Sequence, residues 1–224
     1  MALLVTRCSC GHALDEARAA THYIHCRGAP GVGGGNFFTS VHDAMLLEVA
    51  NMLRTVYPRG QVVVEDYVGA MSYSPLHRPD VTILDDGGGF GVHTLVELTI
   101  FRATTAANVR SSTRMGPGGR LVYGTIGAAL AARQETRRAG YGDLGQHRLL
   151  VFALDEYGMM SRDALTLLRE CITVREDRLD VEGRHSTWAC RTFSSFWKQR
   201  LSVTLARRLA CVILLRAQGD YRRM

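Results

Sequence analysis

The sequence predicts an α/β domain, and three patterns carry this prediction. Apolar residues recur with helical spacing over residues 39–57, while residues 78–84 and 93–101 alternate in polarity on either side of a glycine-rich turn. Residues 148–154 form a continuous apolar run of the kind found in central strands. A helix, a hairpin, a second helix and a further strand in this order are typical of a mixed sheet flanked by helices.

Length and composition favour one main domain, and the basic residues are almost all arginines. The chain has 224 residues, an apolar content of 46% and a formal net charge of +6, which suit one core with a small appendage. Lys198 is the only lysine among its 27 basic residues. Arginine binds phosphate through a bidentate fork, so this bias is compatible with a nucleic-acid partner. Codon bias in a GC-rich genome explains the arginine content equally well.

We expect an intracellular protein that does not enter a membrane. Residues 2–5 are too short for the apolar core of a secretory signal. The longest apolar stretch, residues 203–215, is interrupted by Arg207 and Arg208.

The N-terminal residues predict a zinc site. Residues 8–26 carry Cys8, Cys10, His22 and Cys26, three thiols and an imidazole that suit a tetrahedral structural Zn²⁺. His12 or His25 could replace His22, and unpaired thiols are the alternative. Residues 28–35 are glycine-rich and predict a linker. The expected organisation is a zinc knuckle over 1–28, a linker over 29–36 and the main domain over 37–224.

The hairpin places two carboxylates opposite each other. If its turn centres between Gly88 and Gly89, paired residues have numbers that sum to 177, as Asp80 and Glu97 do. Both side chains then leave the sheet on one face. Facing like charges destabilise a sheet unless a cation lies between them, and Mg²⁺ is often held by one or two carboxylates. A solvated pair at a sheet edge is the alternative.

The helix before the hairpin supplies a third acid. Its apolar stripe is Val41, Met45, Val49, Met52 and Val56. Glu48 lies at the margin of this stripe, where it could reach the hairpin or remain a solvated surface acid. For His42 and Asp43, in the first turn of this helix, the same two alternatives remain open.

The remaining elements complete the predicted domain. Residues 61–68 predict a third strand, residues 121–139 and 162–174 predict helices, and residues 175–185 predict a solvated loop. Residues from 186 or 187 to 217 predict a last helix whose aromatic residues belong to the core. Between the hairpin and the next helix, a loop carries arginines that could contact phosphate or simply be solvated: Arg102, Arg110, Arg114 and Arg120.

The order of these elements resembles the PD-(D/E)XK, or restriction-endonuclease-like, nuclease core. Arg78–Asp80 reads R-P-D and Glu97–Thr99 reads E-L-T, where the family presents an Asp and an Asp or Glu from adjacent strands. With the cysteine and histidine cluster, the S-V-H-D helix start and the W-K-Q-R-L-S-V-T-L-A-R helix, the chain is similar to the C-terminal region of certain retrotransposon reverse-transcriptase polyproteins. The similarity extends from Cys8 to about Arg216.

This resemblance implies a metal-dependent DNA endonuclease, acting in the nucleus, that nicks double-stranded target DNA for retrotransposition. It implies that Asp80, Glu97 and the Leu98 carbonyl hold Mg²⁺ or Mn²⁺ and that Glu48 assists. It also implies Arg78 among the DNA contacts, and element RNA or a polymerase domain as further partners.

One position departs from the family pattern. Thr99 stands where the family has a lysine, and Arg137 or Arg138 on the following helix could supply the missing cation. An arginine stabilises charge but is a poor base. A catalytically inactive nucleic-acid-binding relic and a zinc-stabilised interaction module are therefore the alternative functions.

Overall fold

The fold is a mixed sheet flanked by helices, as the sequence predicts. The computed structural model describes residues 36–58, 60–64, 78–84, 91–103, 108, 113–115, 121–123, 127–176 and 190–221. The helices are α1 (Asn36–Arg54), α2 (Ala128–Gly140), α3 (Arg162–Arg175) and α4 (Phe193–Tyr221). The strands are β1 (Val62–Val64), β2 (Val81–Ile83), β3 (Thr94–Phe101), β4 (Thr113–Met115), β5 (Leu121–Tyr123) and β6 (Arg148–Asp155).

The main sheet has the order β1-β2-β3-β6. β1 pairs with β2, and β2 with β3, in antiparallel fashion, whereas β3 and β6 are parallel. In the β2–β3 ladder, Val81 faces Val96, Thr82 faces Leu95 and Ile83 faces Thr94. The residue numbers of each pair add up to 177, so the register predicted for the hairpin is confirmed. The turn itself lies outside the described residues.

The two faces of the sheet are covered differently. Val81, Ile83, Val96 and Leu98 belong to the larger core cluster together with side chains of α1, α3 and α4. Phe101, Val151 and Ala153 pack on the opposite face against Ala129 and Leu130 of α2. Because side chains alternate along a strand, Glu97 and Thr99 lie on the α2 face and are buried there.

Helix α1 has the predicted buried stripe, but it begins earlier than predicted. Val41, Met45, Val49 and Met52 are fully buried, as spacing of three and four residues along one helix face requires. The helix begins at Asn36 rather than at Thr39 or Ser40. At its other end the Thr55 hydroxyl donates to the Met52 carbonyl at 2.7 Å, which satisfies one of the last helical acceptors.

Two short strands replace parts of the predicted arginine loop and of the helix after it. Thr113–Met115 pairs in antiparallel fashion with Leu121–Tyr123. The prediction of an unbroken loop up to Arg120 and of a helix from Leu121 is therefore wrong. Helix α2 begins at Ala128, after Gly127 with a positive φ of 86°. That backbone conformation costs glycine little, and it explains why the helix does not extend further back.

Strand β6 is the edge of the main sheet within the described residues, and the turn that follows it covers this edge. The Ser161 hydroxyl accepts from the Ala153 amide and donates to the Val151 carbonyl. Asp163 Oδ2 accepts from the Val151 amide at 3.0 Å. Ser161 also caps α3 by accepting from the Ala164 amide. The turn thus fixes α3 against the sheet.

The last helix is a core helix, as predicted, but it begins and ends later. Phe193, Trp197, Leu201, Leu205 and Leu209 of α4 are buried against the sheet and α1, which excludes them from base stacking. The helix starts at Phe193, where Thr192 and Ser195 hydrogen-bond each other. None of the described helices is long and apolar enough to span a bilayer.

Candidate active site

The two hairpin acids open into one cleft between α2, the start of β2 and the first half of α1. Its volume is about 430 Å³. Its polar and charged lining side chains are Thr39, His42, Arg78, Asp80, Glu97, Thr99, Arg133, Arg137 and Tyr141. The structure therefore brings Asp80, Glu97, Arg78 and Arg137 together, as the sequence predicts.

Asp80 is held by the neighbouring strand. The Leu98 amide donates to Asp80 Oδ2 at 2.6 Å, so the carboxylate is anchored to the residue that follows Glu97. His42 Nε2 lies 3.5 Å from the same oxygen. This hydrogen bond and ion pair fix the direction in which Asp80 faces the cleft.

Glu97 is buried among groups of both charge signs. Its side chain is 10% exposed, and Arg137 Nη1 lies 3.5 Å from its Oε1. The Tyr141 hydroxyl donates to its Oε2. Burial raises the pKa of Glu97, and the negative charge of Asp80 raises it further, whereas Tyr141, Arg137 and His42 act in the opposite direction. The two carboxylates are therefore close enough to repel each other.

His42 is a cation at neutral pH. The hydrogen bond to Asp80 is the largest influence and raises the pKa of His42 to about 9, against the opposing effect of burial. A backbone group of Leu98, which also lines the cleft, raises this pKa as well.

Helix α2 supplies two arginines to the cleft, and Arg138 is not one of them. Arg133 and Arg137 are four residues apart on one face of the helix. Arg138 instead pairs with Asp163 at 2.5 Å and with Glu135 at 2.7 Å. Of the two cations considered as replacements for the lysine at Thr99, only Arg137 contacts Glu97.

Glu48 lies outside this cleft, which corrects the expectation that it reaches the hairpin. Arg200 Nε donates to its Oε2 at 2.5 Å, and Thr204 contacts its Oε1 at 3.5 Å. Glu48 follows His42 by six positions, which places the two side chains roughly 240° apart around the helix axis and about 9 Å apart along it. The helix face that carries His42 points to the cleft, whereas Glu48 lies on another face and binds α4.

The other predicted contacts are placed only in part. Arg102 follows β3, does not line the cleft, and accepts a hydrogen bond from Asn108 through its carbonyl. Arg114 belongs to β4. Arg110, Arg120 and the predicted zinc ligands Cys8, Cys10, His22 and Cys26 lie outside the described residues.

Four polar or charged cleft residues were not predicted as site residues: Thr39, His42, Arg133 and Tyr141. His42 and Thr39 are three residues apart and so share a helix face, a weak signal that the sequence does contain. Tyr141 directly follows the last residue of α2, where the helix delivers its hydroxyl to both Glu97 Oε2 and the Arg78 carbonyl. Only the packing of α2 on the sheet brings Arg133 and Tyr141 to the hairpin.

Comparison with known proteins adds no family to this description. No protein-family model matches the chain, and no curated protein matches it either. In the described part of the chain, no three His, Cys, Asp or Glu side chains form a metal-binding group. The fold and the cleft thus define an α/β domain with a carboxylate pair surrounded by cations.

The His42–Asp80 pair makes a prediction about pH. A raised folded-state pKa stabilises the fold fully below the ordinary value of 6.5, and this contribution is lost as pH rises toward about 9. Urea unfolding in Mg²⁺-free buffer should show a free energy of unfolding that falls between pH 6.5 and 9. In His42→Gln this fall should be smaller. Equal falls in the two proteins would mean that the pair does not form.

Proposed function

We propose that this chain is a metal-dependent DNA endonuclease domain. The observation that carries the proposal is a pair of carboxylates that open into one cleft, Asp80 directly before β2 and Glu97 in the adjacent strand β3. Arg78, Arg133 and Arg137 line the same cleft. Carboxylates that can hold a divalent cation, next to guanidinium groups that can bind phosphate, suit metal-assisted cleavage of a phosphodiester.

The donor atoms suit Mg²⁺ or Mn²⁺. Asp80, Glu97 and the Leu98 carbonyl are hard oxygen donors, and Mg²⁺ is commonly bound by one or two carboxylates with waters and substrate phosphate completing its shell. Burial raises the pKa of Glu97, and the charge of Asp80 raises it further. A bound cation would relieve the repulsion between the two carboxylates. Such an ion supplies Lewis-acid polarisation of a phosphate oxygen and lowers the pKa of a water.

The protein's own groups have distinct roles in this proposal. Arg137 Nη1 lies 3.5 Å from Glu97 Oε1 and neutralises charge there. It supplies the positive charge that the family's lysine provides at the position of Thr99. Tyr141 holds Glu97 in position through its hydroxyl, and burial raises the pKa of that hydroxyl, so it remains a donor. His42 is protonated at neutral pH, so it adds positive charge and does not act as a base.

The motif order supports a more specific function, which is nicking of double-stranded target DNA for retrotransposition in the nucleus. In this proposal a structural Zn²⁺ on Cys8, Cys10, His22 and Cys26 forms a knuckle that helps bind the duplex. Arg102, Arg110, Arg114 and Arg120 extend the DNA contacts. Element RNA or a polymerase domain is a further partner.

Thr99 favours a second candidate, an inactive nucleic-acid-binding relic of such an endonuclease. Thr99 lines the cleft and is 2% exposed, so no ammonium group stands at this position to activate a water. The third candidate, a zinc-stabilised interaction module, needs neither DNA binding nor the cleft.

A plasmid assay separates the three functions. We expect purified protein to convert supercoiled plasmid to the open circular form in Mg²⁺ or Mn²⁺ and to leave it intact when neither ion is added. Intact plasmid with a salt-sensitive gel shift would identify the inactive relic. Intact plasmid without any shift would favour the interaction module.

A further inference from the structure

The cleft contains more positive than negative groups. Arg78, Arg133 and Arg137 line it against the carboxylates of Asp80 and Glu97. Without any metal, three guanidinium groups thus face two carboxylates. A metal platform made of acids alone is negative and repels phosphate until a cation has bound, whereas this cleft attracts it.

Arg133 is a cation of this cleft that has no partner in the described part of the chain. Among the described residues it has no hydrogen bond and no ion pair within 4.0 Å, whereas Arg137 contacts Glu97 and Arg138 contacts Glu135 and Asp163. Burial lowers the pKa of Arg133, and the like charge of Arg137 lowers it further. Two guanidinium groups one turn apart on a helix repel each other unless an anion binds both.

The helix that carries these two arginines is held in place against the sheet and α3. Gln134 and Arg138 of α2 contact Asp163 at the start of α3, and Ala129 and Leu130 pack on the sheet. The α2 face that carries Arg133 and Arg137 is therefore fixed over β3 before any ligand arrives. A fixed helix backbone lowers the entropic cost of bringing two guanidinium groups to one anion.

We propose that Arg133 and Arg137, with Arg78 at the rim, form a phosphate subsite that binds without a divalent cation. Its ligand class is a phosphate oxyanion, either free or within a phosphodiester. The inference rests on the proposed function only for its natural ligand, the backbone of DNA. It adds that phosphate can occupy the cleft before any divalent cation has bound.

The test is a titration of the full chain with inorganic phosphate in Mg²⁺-free buffer, followed by the arginine Nε–H signals in ¹H–¹⁵N NMR spectra. We expect saturable shifts in the wild-type protein. Arg133→Gln should raise the Kd about tenfold or more, since it removes a charge-assisted contact. Arg133→Lys keeps the charge without the fork and should give an intermediate Kd.

Arg169→Gln is the matched control. Arg169 is an exposed residue of α3 that does not line the cleft, so its loss changes the net charge equally and should leave the Kd unchanged. Thermal melting checks that each variant is folded. If Arg169→Gln weakens binding as much as Arg133→Gln does, the binding is diffuse and the proposal is overturned.

The outcomes for the subsite and for the endonuclease are separable. Saturable, Arg133-dependent phosphate binding with no nicking in Mg²⁺ would keep the subsite and reject the endonuclease. Nicking in Mg²⁺ without phosphate binding in its absence would keep the endonuclease and reject this inference.

Discussion

Asp80→Asn is expected to reduce plasmid nicking by about 100-fold or more, which corresponds to about 2.7 kcal/mol of transition-state stabilisation. The substitution keeps the shape of the side chain and an oxygen that can accept from the Leu98 amide. It removes the charge that a divalent cation needs. Glu97→Gln should have an effect of similar size, because both carboxylates are proposed to hold the same divalent cation.

Asp143→Asn is the control for this charge change. Asp143 is exposed, and its Oδ1 accepts from the Gly145 amide at 2.8 Å, a contact that asparagine preserves. The control should nick like the wild type. If Asp80→Asn, Glu97→Gln and wild type nick at the same rate, the activity does not come from this cleft.

Asp163→Ala is expected to lower the free energy of unfolding by about 3 kcal/mol. The buried carboxylate accepts from Arg138 at 2.5 Å and from the Val151 amide at 3.0 Å. Its removal leaves a buried backbone donor without a partner, which is the costly part of the change. In a chain of this size the melting temperature should fall by roughly 6–12 °C.

Glu170→Ala removes an ion pair that the solvent screens. Arg148 and Glu170 lie 2.6 Å apart, but their side chains are 43% and 36% exposed, so we expect a loss of about 1 kcal/mol or less. Urea unfolding of both variants measures the contrast. Equal losses would mean that Asp163 does not anchor β6 and α2.

The hairpin could be predicted from the sequence because two local rules agree there. Alternation of polarity assigns each side chain to a face, and a short glycine-rich turn fixes which residues pair. The pairing of Val81 with Val96 follows from these rules. The acids Asp80 and Glu97 were identified in the same way.

The surroundings of the acids could not be predicted, because they depend on how distant elements pack. Arg133 and Tyr141 reach the hairpin only because α2 lies on the face of the sheet that carries Glu97. Glu48 failed as a site residue because its partner, Arg200, is 152 residues away in the sequence. Helical periodicity gives the buried stripe of α1 but does not determine which helix lies beside its margin.

The covered edge of β6 limits how this sheet can meet another chain. Unpaired edge strands recruit partner strands by extending the ladder of backbone hydrogen bonds. Here Ser161 and Asp163 occupy backbone groups of Val151 and Ala153, so an incoming strand has no continuous row of donors and acceptors to join. A protein that docks on this side must therefore do so through side chains, and the covered part of the edge is protected against templated aggregation.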